Sequence, residues 1–204
     1  MEPSTLNRRQ ALKLTAVAMA SSALASCGSS SNSSSAAPAP SFVYAMNNAT
    51  DNGVVRFSRD PGTGALKMID TIPTHGMGTN GNKPNGAAAG PDPLVSQYSL
   101  VLSPDKSLMF ACNAGDSSVT VFSVAATTGM LTHKKHTMLS GDNNANNATF
   151  PNSIACNKDN SMLYVTFAGG TSATDNHLAA YKMGADGSLT LANAMNLDTS
   201  ASPT

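Results

Sequence analysis

A gap-free internal repeat constrains this chain more than any other feature. Residues 99–110, SLVLSPDKSLMF, align on residues 153–164, SIACNKDNSMLY, 54 residues later. In both copies an alternating apolar stretch runs through an Asp-centred turn, Pro104-Asp105-Lys106 against Lys158-Asp159-Asn160, into a second strand. Period-two alternation across a polar turn is the signature of a β-hairpin, because successive strand side chains point to opposite faces.

The second hairpin strand occurs a third time near the start, so that Phe42-Val43-Tyr44-Ala45 matches Leu108-Met109-Phe110-Ala111 and Met162-Leu163-Tyr164-Val165. Each copy leads into a turn containing an aspartate, Asp51, Asp116 or Asp175, and then into a third strand closed by an aromatic: Val54–Phe57, Val119–Phe122 and Leu178–Tyr181. A Gly-x-Leu step then opens a fourth strand at Gly64, Gly129 and Gly187. Four antiparallel strands per repeat, in a chain searched first for periodicity, are the blade of a β-propeller. A β-sandwich has similar hairpins but no reason to repeat turn Asp, aromatic and Gly-x-Leu three times in one order. No stretch beyond the first 26 residues has an apolar period of 3.6, so the expected fold is all-β, with about three four-stranded blades at roughly 42–74, 95–141 and 150–197. The first copy begins at its second strand, and residues 200–204 resemble the junction at 149–152 that precedes an inner strand. The region 42–204 therefore reads as part of a propeller, an incomplete ring, with a small self-associating sheet array as the rival.

These residues carry a family resemblance. The Ser-led strand, the Pro-Asp turn, the Leu/Met-aromatic strand ending in Cys112-Asn113, the segment GDSSVTVFSV and the Gly-x-Leu step together resemble the seven-bladed lactonase propellers related to bacterial 6-phosphogluconolactonase, over about residues 42–191. The resemblance implies a hydrolase of lactones or sugar-acid esters whose loops carry His, Arg and acidic groups. A Pro-His pair frequent in that family before a blade's first Ser is absent: Gln97-Tyr98 precedes Ser99 and Pro151-Asn152 precedes Ser153.

The first 27 residues have a different logic. Arg8, Arg9 and Lys13 precede an apolar stretch at 14–24, followed by Leu24-Ala25-Ser26-Cys27. Charge, short apolar core and small-residue exit make residues 1–26 a signal peptide, since a membrane-spanning helix needs roughly 20 apolar residues. The exit resembles the lipobox of bacterial lipoproteins, which makes Cys27 the expected lipidation site and membrane the expected partner. Residues 7–13, NRRQALK, resemble the twin-arginine export signal, with Ala11 where an aromatic is usual; the unfolded-chain route stays open. Gly28 rather than Asp after the lipidated residue favours the outer over the inner membrane, on the periplasmic side. Residues 27–41, rich in Ser, Ala, Asn and Pro, read as a flexible tether, because they hold too little apolar surface to offset the entropy of ordering.

Charged residues make up 12% of the chain and the formal net charge is zero, so no basic stripe supports nucleic-acid binding. Protein partners are not legible. After Cys27 only Cys112 and Cys156 remain, read as buried thiols although export would permit a bridge. Among titratable groups, His177 before a third strand and beside Asp175 is the one weak catalytic candidate, against the plainer reading of a solvated turn histidine. Strand alternation sends His133 and His136 to opposite faces, a poor metal pair, and His75 falls in a Gly-rich loop at 75–93 that is a plausible lid. Asp51, Asp116 and Asp175 read as turn formers before catalysts. Residues 142–147 have one carboxylate and lack the spacing of a calcium loop. No Ser elbow, phosphate loop or zinc motif appears, so no cofactor or metal is expected. The expected ligand is a lactone or sugar acid; the alternative is a non-catalytic binding or scaffold propeller.

Overall fold

A computed structural model describes residues 40–82, 96–139, 150–168 and 176–197. Its eleven described strands fall into three antiparallel sheets. The first holds β1 (Ser41–Met46), β2 (Asp51–Arg59) and β3 (Leu66–Met77). The second runs in order through β4 (Leu100–Leu102), β5 (Leu108–Asn113), β6 (Ser118–Val124) and β7 (Leu131–Met138). The third holds β8 (Phe150–Cys156), β9 (Met162–Ala168), β10 (His177–Met183) and β11 (Leu189–Asn196). Among the described residues the first sheet lacks a counterpart of β4 and β8, leaving β1 as an edge.

Strand alternation explains the stacking. On β5 and β6, Met109, Ala111 and Phe122 face the first sheet and form a core with Val54 and Leu131. The intervening Phe110, Cys112, Val119 and Val121 face the third sheet and pack on Ile154, Leu163, Val165, Phe167, Ala179 and Tyr181. The middle sheet is therefore apolar on both faces, which is why residues 108–113 read as a continuous buried run. Sheets that shared a single core, as in a two-layer sandwich, would leave one face of each sheet polar.

The same local devices recur in each sheet. Gly64, Gly129 and Gly187 all have positive φ, at 76°, 62° and 88°, so the Gly-x-Leu step is a turn that needs left-handed backbone. Lys106 and Asn160 occupy the same left-handed position in the first hairpin, at φ 61° and 59°. Asp60, Asp105, Asp159 and Asp186 each accept hydrogen bonds from backbone amides two or three residues on. Hydrogen bonds from nearby hydroxyls and amides hold all four carboxyls below the ordinary Asp range, led at Asp105 by the Ser103 hydroxyl, at Asp159 and Asp186 by the Ser161 and Ser188 hydroxyls, and at Asp60 by the Thr63 amide. Support from these turns is present above the unfolded Asp value and is lost as the pH falls through the lower folded values.

Each fourth strand also carries a β-bulge directly opposite the junction before the closing aromatic of the third strand, and β3 has a second register shift, between the pairs Asp51–Met77 and Gly53–Pro73. Phe57 pairs with Met68 but Arg56 with Asp70, which leaves Ile69 extra. Phe122 pairs with His133 but Val121 with Lys135, leaving Lys134, and Tyr181 pairs with Leu191 but Ala180 with Asn193, leaving Ala192. A bulge flips the facing of everything beyond it. Period-two reading fails at these three residues and at every residue after them.

Blade-to-blade contacts are also polar. Arg56 binds Asp70 through two parallel bonds, Nε to Oδ1 at 2.9 Å and Nη2 to Oδ2 at 2.6 Å, and donates Nη1 to Thr128 O at 3.0 Å. Tyr44 donates its hydroxyl to Gly129 O at 2.7 Å, and burial raises its pKa. Both links fasten the first sheet to the β6–β7 turn of the second. A side chain at Gly129 would collide with the Phe42 ring, so this glycine serves close approach as well as its turn.

Candidate functional site

The β1–β2 and β5–β6 turns, the ends of β3 and β7, and the starts of β4, β8 and β10 all lie at one end of the sheets. At this end the first and second sheets are sewn together by buried amides and hydroxyls. Asn52 donates Nδ2 to Asn113 Oδ1 at 2.9 Å and to Cys112 O at 3.2 Å. Asn113, fully buried, donates to Ser118 Oγ at 3.0 Å and Thr120 Oγ1 at 2.9 Å. Thr120 then donates to Thr74 O at 2.7 Å, and Thr74 donates to Asn52 O at 3.0 Å, closing the circuit. Buried polar groups are costly unless bonded, so a satisfied circuit of this kind fixes how two sheets register.

Asp116 stands at the rim of that circuit. Its Oδ2 accepts the Met77 amide at 3.0 Å and its Oδ1 accepts the Ser118 hydroxyl at 2.7 Å. The expectation of a turn former holds only in part, since the Met77 bond ties the second sheet to the first. Gly115 N donates to Met77 O at 2.8 Å, and a Cβ at Gly115 would strike Gly78 O. Asp51 opens β2 and is exposed, while Asp175 lies outside the described residues.

Ser118, His136 and Asp116 form a constellation that invites comparison with a nucleophilic triad. His136 Nε2 is 2.7 Å from Ser118 Oγ and 3.5 Å from Asp116 Oδ2. The bond directions exclude that use. Ser118 is fully buried and spends its proton on Asp116, so the imidazole must donate Nε2–H to the serine oxygen. A nucleophile needs its base to accept the hydroxyl proton, the reverse of this wiring.

The histidines are placed differently from their sequence reading. His177 is the first residue of β10, not a solvated turn residue: it is 2% exposed, and its ring stacks flat on Phe167 with centroids 4.3 Å apart. His75 lies on β3, not in a loop, with φ at 62°. The bulge at Lys134 puts His133 and His136 on one face, opposite Phe122 and Thr120, contrary to simple alternation. His75 then meets His133 edge-on with centroids 4.6 Å apart. Desolvation, followed by the charges of His75 and His136, lowers the pKa of His133. Nothing in the local residue types announces this meeting, because it depends on the extra residue, Lys134, that only the strand pairing reveals.

The positions before the inner strands lie side by side. Tyr98 O accepts the Ile154 amide at 2.9 Å, Ser96 Oγ donates to Asn152 O, and Asn152 Oδ1 accepts the Thr166 hydroxyl at 2.8 Å. Here the chain offers an exposed phenol and an engaged carboxamide. Both described cysteines are free; burial alone raises the Cys112 thiol, and burial, then Asp105 and Asp159, raise that of Cys156. Neither is a ready thiolate nucleophile. A cleft of about 590 Å³ opens at the opposite end, between the Ser41, Phe42 and Tyr44 side of β1 and Leu102, Lys106 and Val124. It flanks the edge of β1, and its carboxylate, Asp105, is taken up by the hydroxyls of Ser103 and Ser107 in its own turn. Cys27, Arg8 and Arg9, the 142–147 insert and part of the 75–93 loop lie outside the described residues.

Three antiparallel sheets with one strand order, stacked face to face and repeating the same turns and bulges, are blades of a β-propeller. The sequence profile of the family described as lactonase, 7-bladed beta-propeller, matches residues 37–144. The chain belongs to that family. A candidate 6-phosphogluconolactonase of Bacteroides fragilis is similar in structure at a TM-score of 0.50 and 21% identity, over 77% of this chain and 36% of that one. The periplasmic gluconolactonase of Pseudomonas aeruginosa is similar at a TM-score of 0.50 and 17% identity, over 75% and 36%. The chain thus spans about a third of the length of these solved structures. No curated protein matches it.

Proposed function

We propose that the protein is an exported, lipid-anchored lactonase-family propeller that opens lactones or sugar-acid esters at the end of the sheets where β4, β8 and β10 begin. The observation that carries this reading is the family match across residues 37–144. Likeness in fold to proteins described as gluconolactonase and 6-phosphogluconolactonase supports it, at identities where fold alone is shared. The chemistry required is polarisation of the lactone carbonyl and delivery of water, and Tyr98 and His177 lie at the relevant end. Cys27 is the proposed lipid attachment, with Arg8 and Arg9 as the export signal, placing the site on the periplasmic side and outer-membrane attachment ahead of inner. A phosphorylated lactone made in the cytoplasm is the poorer substrate for a site so placed; an uncharged sugar lactone is the better one.

A second reading, a non-catalytic binding propeller, is favoured by two observations. Gln97-Tyr98 and Pro151-Asn152 replace the family's Pro-His, and the Ser118 hydroxyl is committed to Asp116. The two readings separate in one assay. Protein made from the complete gene is expected to hydrolyse glucono-lactone above the buffer rate, followed by proton release in weakly buffered solution, with a lower rate on its 6-phosphate. Rates equal to buffer on both would reject catalysis and leave binding.

A further inference from the structure

Three of the chain's four histidines gather on the seam between the first two sheets. His75 comes from β3 and His133 from β7, and their rings touch edge-on with centroids 4.6 Å apart. Both residues are exposed, so protons reach them. The backbone on each side departs from regular strand to make this contact. Gly53 pairs with Pro73 and Asp51 with Met77, so that Thr74, His75 and Gly76 stand opposite Asn52 alone, and His75 takes a φ of 62°, left-handed for a residue with a side chain. On β7 the Lys134 bulge turns His133 to the face that Phe122 presents to the first sheet. Strained backbone persists only where its surroundings over-determine it. Here Thr74 donates to Asn52 O at 3.0 Å and its carbonyl accepts the Thr120 hydroxyl at 2.7 Å, while a Cβ at Gly76 would strike the Asn113 side chain. His75 thus sits between a member of the buried circuit and a residue pressed against it.

We propose that the His75–His133 contact is a proton-sensitive latch on this seam, closed while both rings are neutral and released when both are protonated. Imidazole is the side chain that changes charge near neutral pH, and two imidazolium rings in contact repel each other. Desolvation, followed by the charges of His75 and His136, lowers the His133 pKa. The fold therefore favours neutral His133, and the support it gives is present above the ordinary His value and is lost as the pH falls through the lower folded one. The charges around the pair are otherwise engaged. His136 shares the face of His133, and its imidazolium is drawn to Asp116 Oδ2, 3.5 Å from Nε2, which already accepts the Met77 amide. Asp51 opens β2 opposite Met77. Arg56 and Asp70 bind each other, and Lys134 and Lys135 belong to the seam with the third sheet, beside Gly187 and Asp186. Among the described residues neither ring of the pair has a carboxylate bound to it. The latch lies at the end of the sheets where the lactone chemistry is proposed, and it stands or falls without that chemistry.

The test is amide hydrogen exchange on protein from the complete gene, read by mass spectrometry at about pH 7.5 and about pH 5.5, on either side of the ordinary His value, and corrected for the intrinsic rate at each. The Met77 amide is bonded to Asp116 Oδ2 and the Gly115 amide to Met77 O, both across the seam. Their protection should fall about fivefold or more on acidification, while that of β9 and β10 in the third sheet stays constant. His75→Asn/His133→Gln should abolish the fall, since neither replacement titrates, asparagine tolerates left-handed backbone and both positions are exposed. His133→Gln alone, which leaves the β3 backbone untouched, should at least halve it, and His136→Gln should keep it. Constant protection in the parent, an equal loss in the third sheet, a fall that survives in the double variant or in His133→Gln, or one that His136→Gln alone removes would each overturn the latch.

Discussion

Asn113→Ala is expected to lower the free energy of unfolding by about 3 kcal/mol, read as a lower midpoint in urea at unchanged slope. Asn113 is fully buried and makes three bonds, accepting from Asn52 and donating to Ser118 and Thr120. Its partners do not become orphans, because Asn52 keeps Cys112 O, Ser118 keeps Asp116, and Thr120 keeps Thr74 O. The loss is therefore that of three bonds and a small void, not the larger penalty of stranding several groups. The truncation loosens the seam between the first two sheets without touching either apolar core. A change smaller than about 1 kcal/mol would mean that the circuit is not what sets their register.

Cys27→Ala is expected to produce the largest change in behaviour, moving the protein from the membrane fraction to the soluble fraction of the envelope and abolishing incorporation of labelled palmitate. The expectation follows from the Leu24-Ala25-Ser26-Cys27 exit, where the thiol is the only nucleophile able to take the diacylglycerol. One acyl chain gives marginal membrane binding and two or more give stable anchoring, so losing all of them should release the protein almost completely. Equal labelling and equal membrane retention in the variant would remove Cys27 as the anchor and with it the case for a tethered site.

Much of the architecture is legible in the residues because its physics is local. The hairpin around Asp105 and Asp159, the aromatic that closes each third strand and the Gly-x-Leu step depend on alternation, side-chain-to-backbone bonds and positive φ, all readable from a short window. The family followed from their order. What escaped depends on one inserted residue or on distant partners. Ile69, Lys134 and Ala192 carry no mark of a bulge, yet the shift at Lys134 brings His133 and His136 to one side. Nothing in the sequence singles out Asn52 or Asn113, and only stacking reveals that they bond across 61 positions of sequence. His177 read as a solvated turn residue beside Asp175, but the Phe167 ring at the end of the neighbouring strand covers it. Chemistry was the least legible layer, because the residues that meet at the sheet ends come from different blades.

The structure of the complete gene product is the most direct test of the central claim, that these sheets are successive blades of a lactonase-family propeller. The account predicts a strand hydrogen-bonded along the edge of β1 opposite β2, making the first sheet four-stranded like its neighbours. It also predicts Phe110 and Phe122 buried on opposite faces of the middle sheet. An unpaired β1 in the complete protein, or a two-layer sandwich with one of those rings facing solvent, would contradict it.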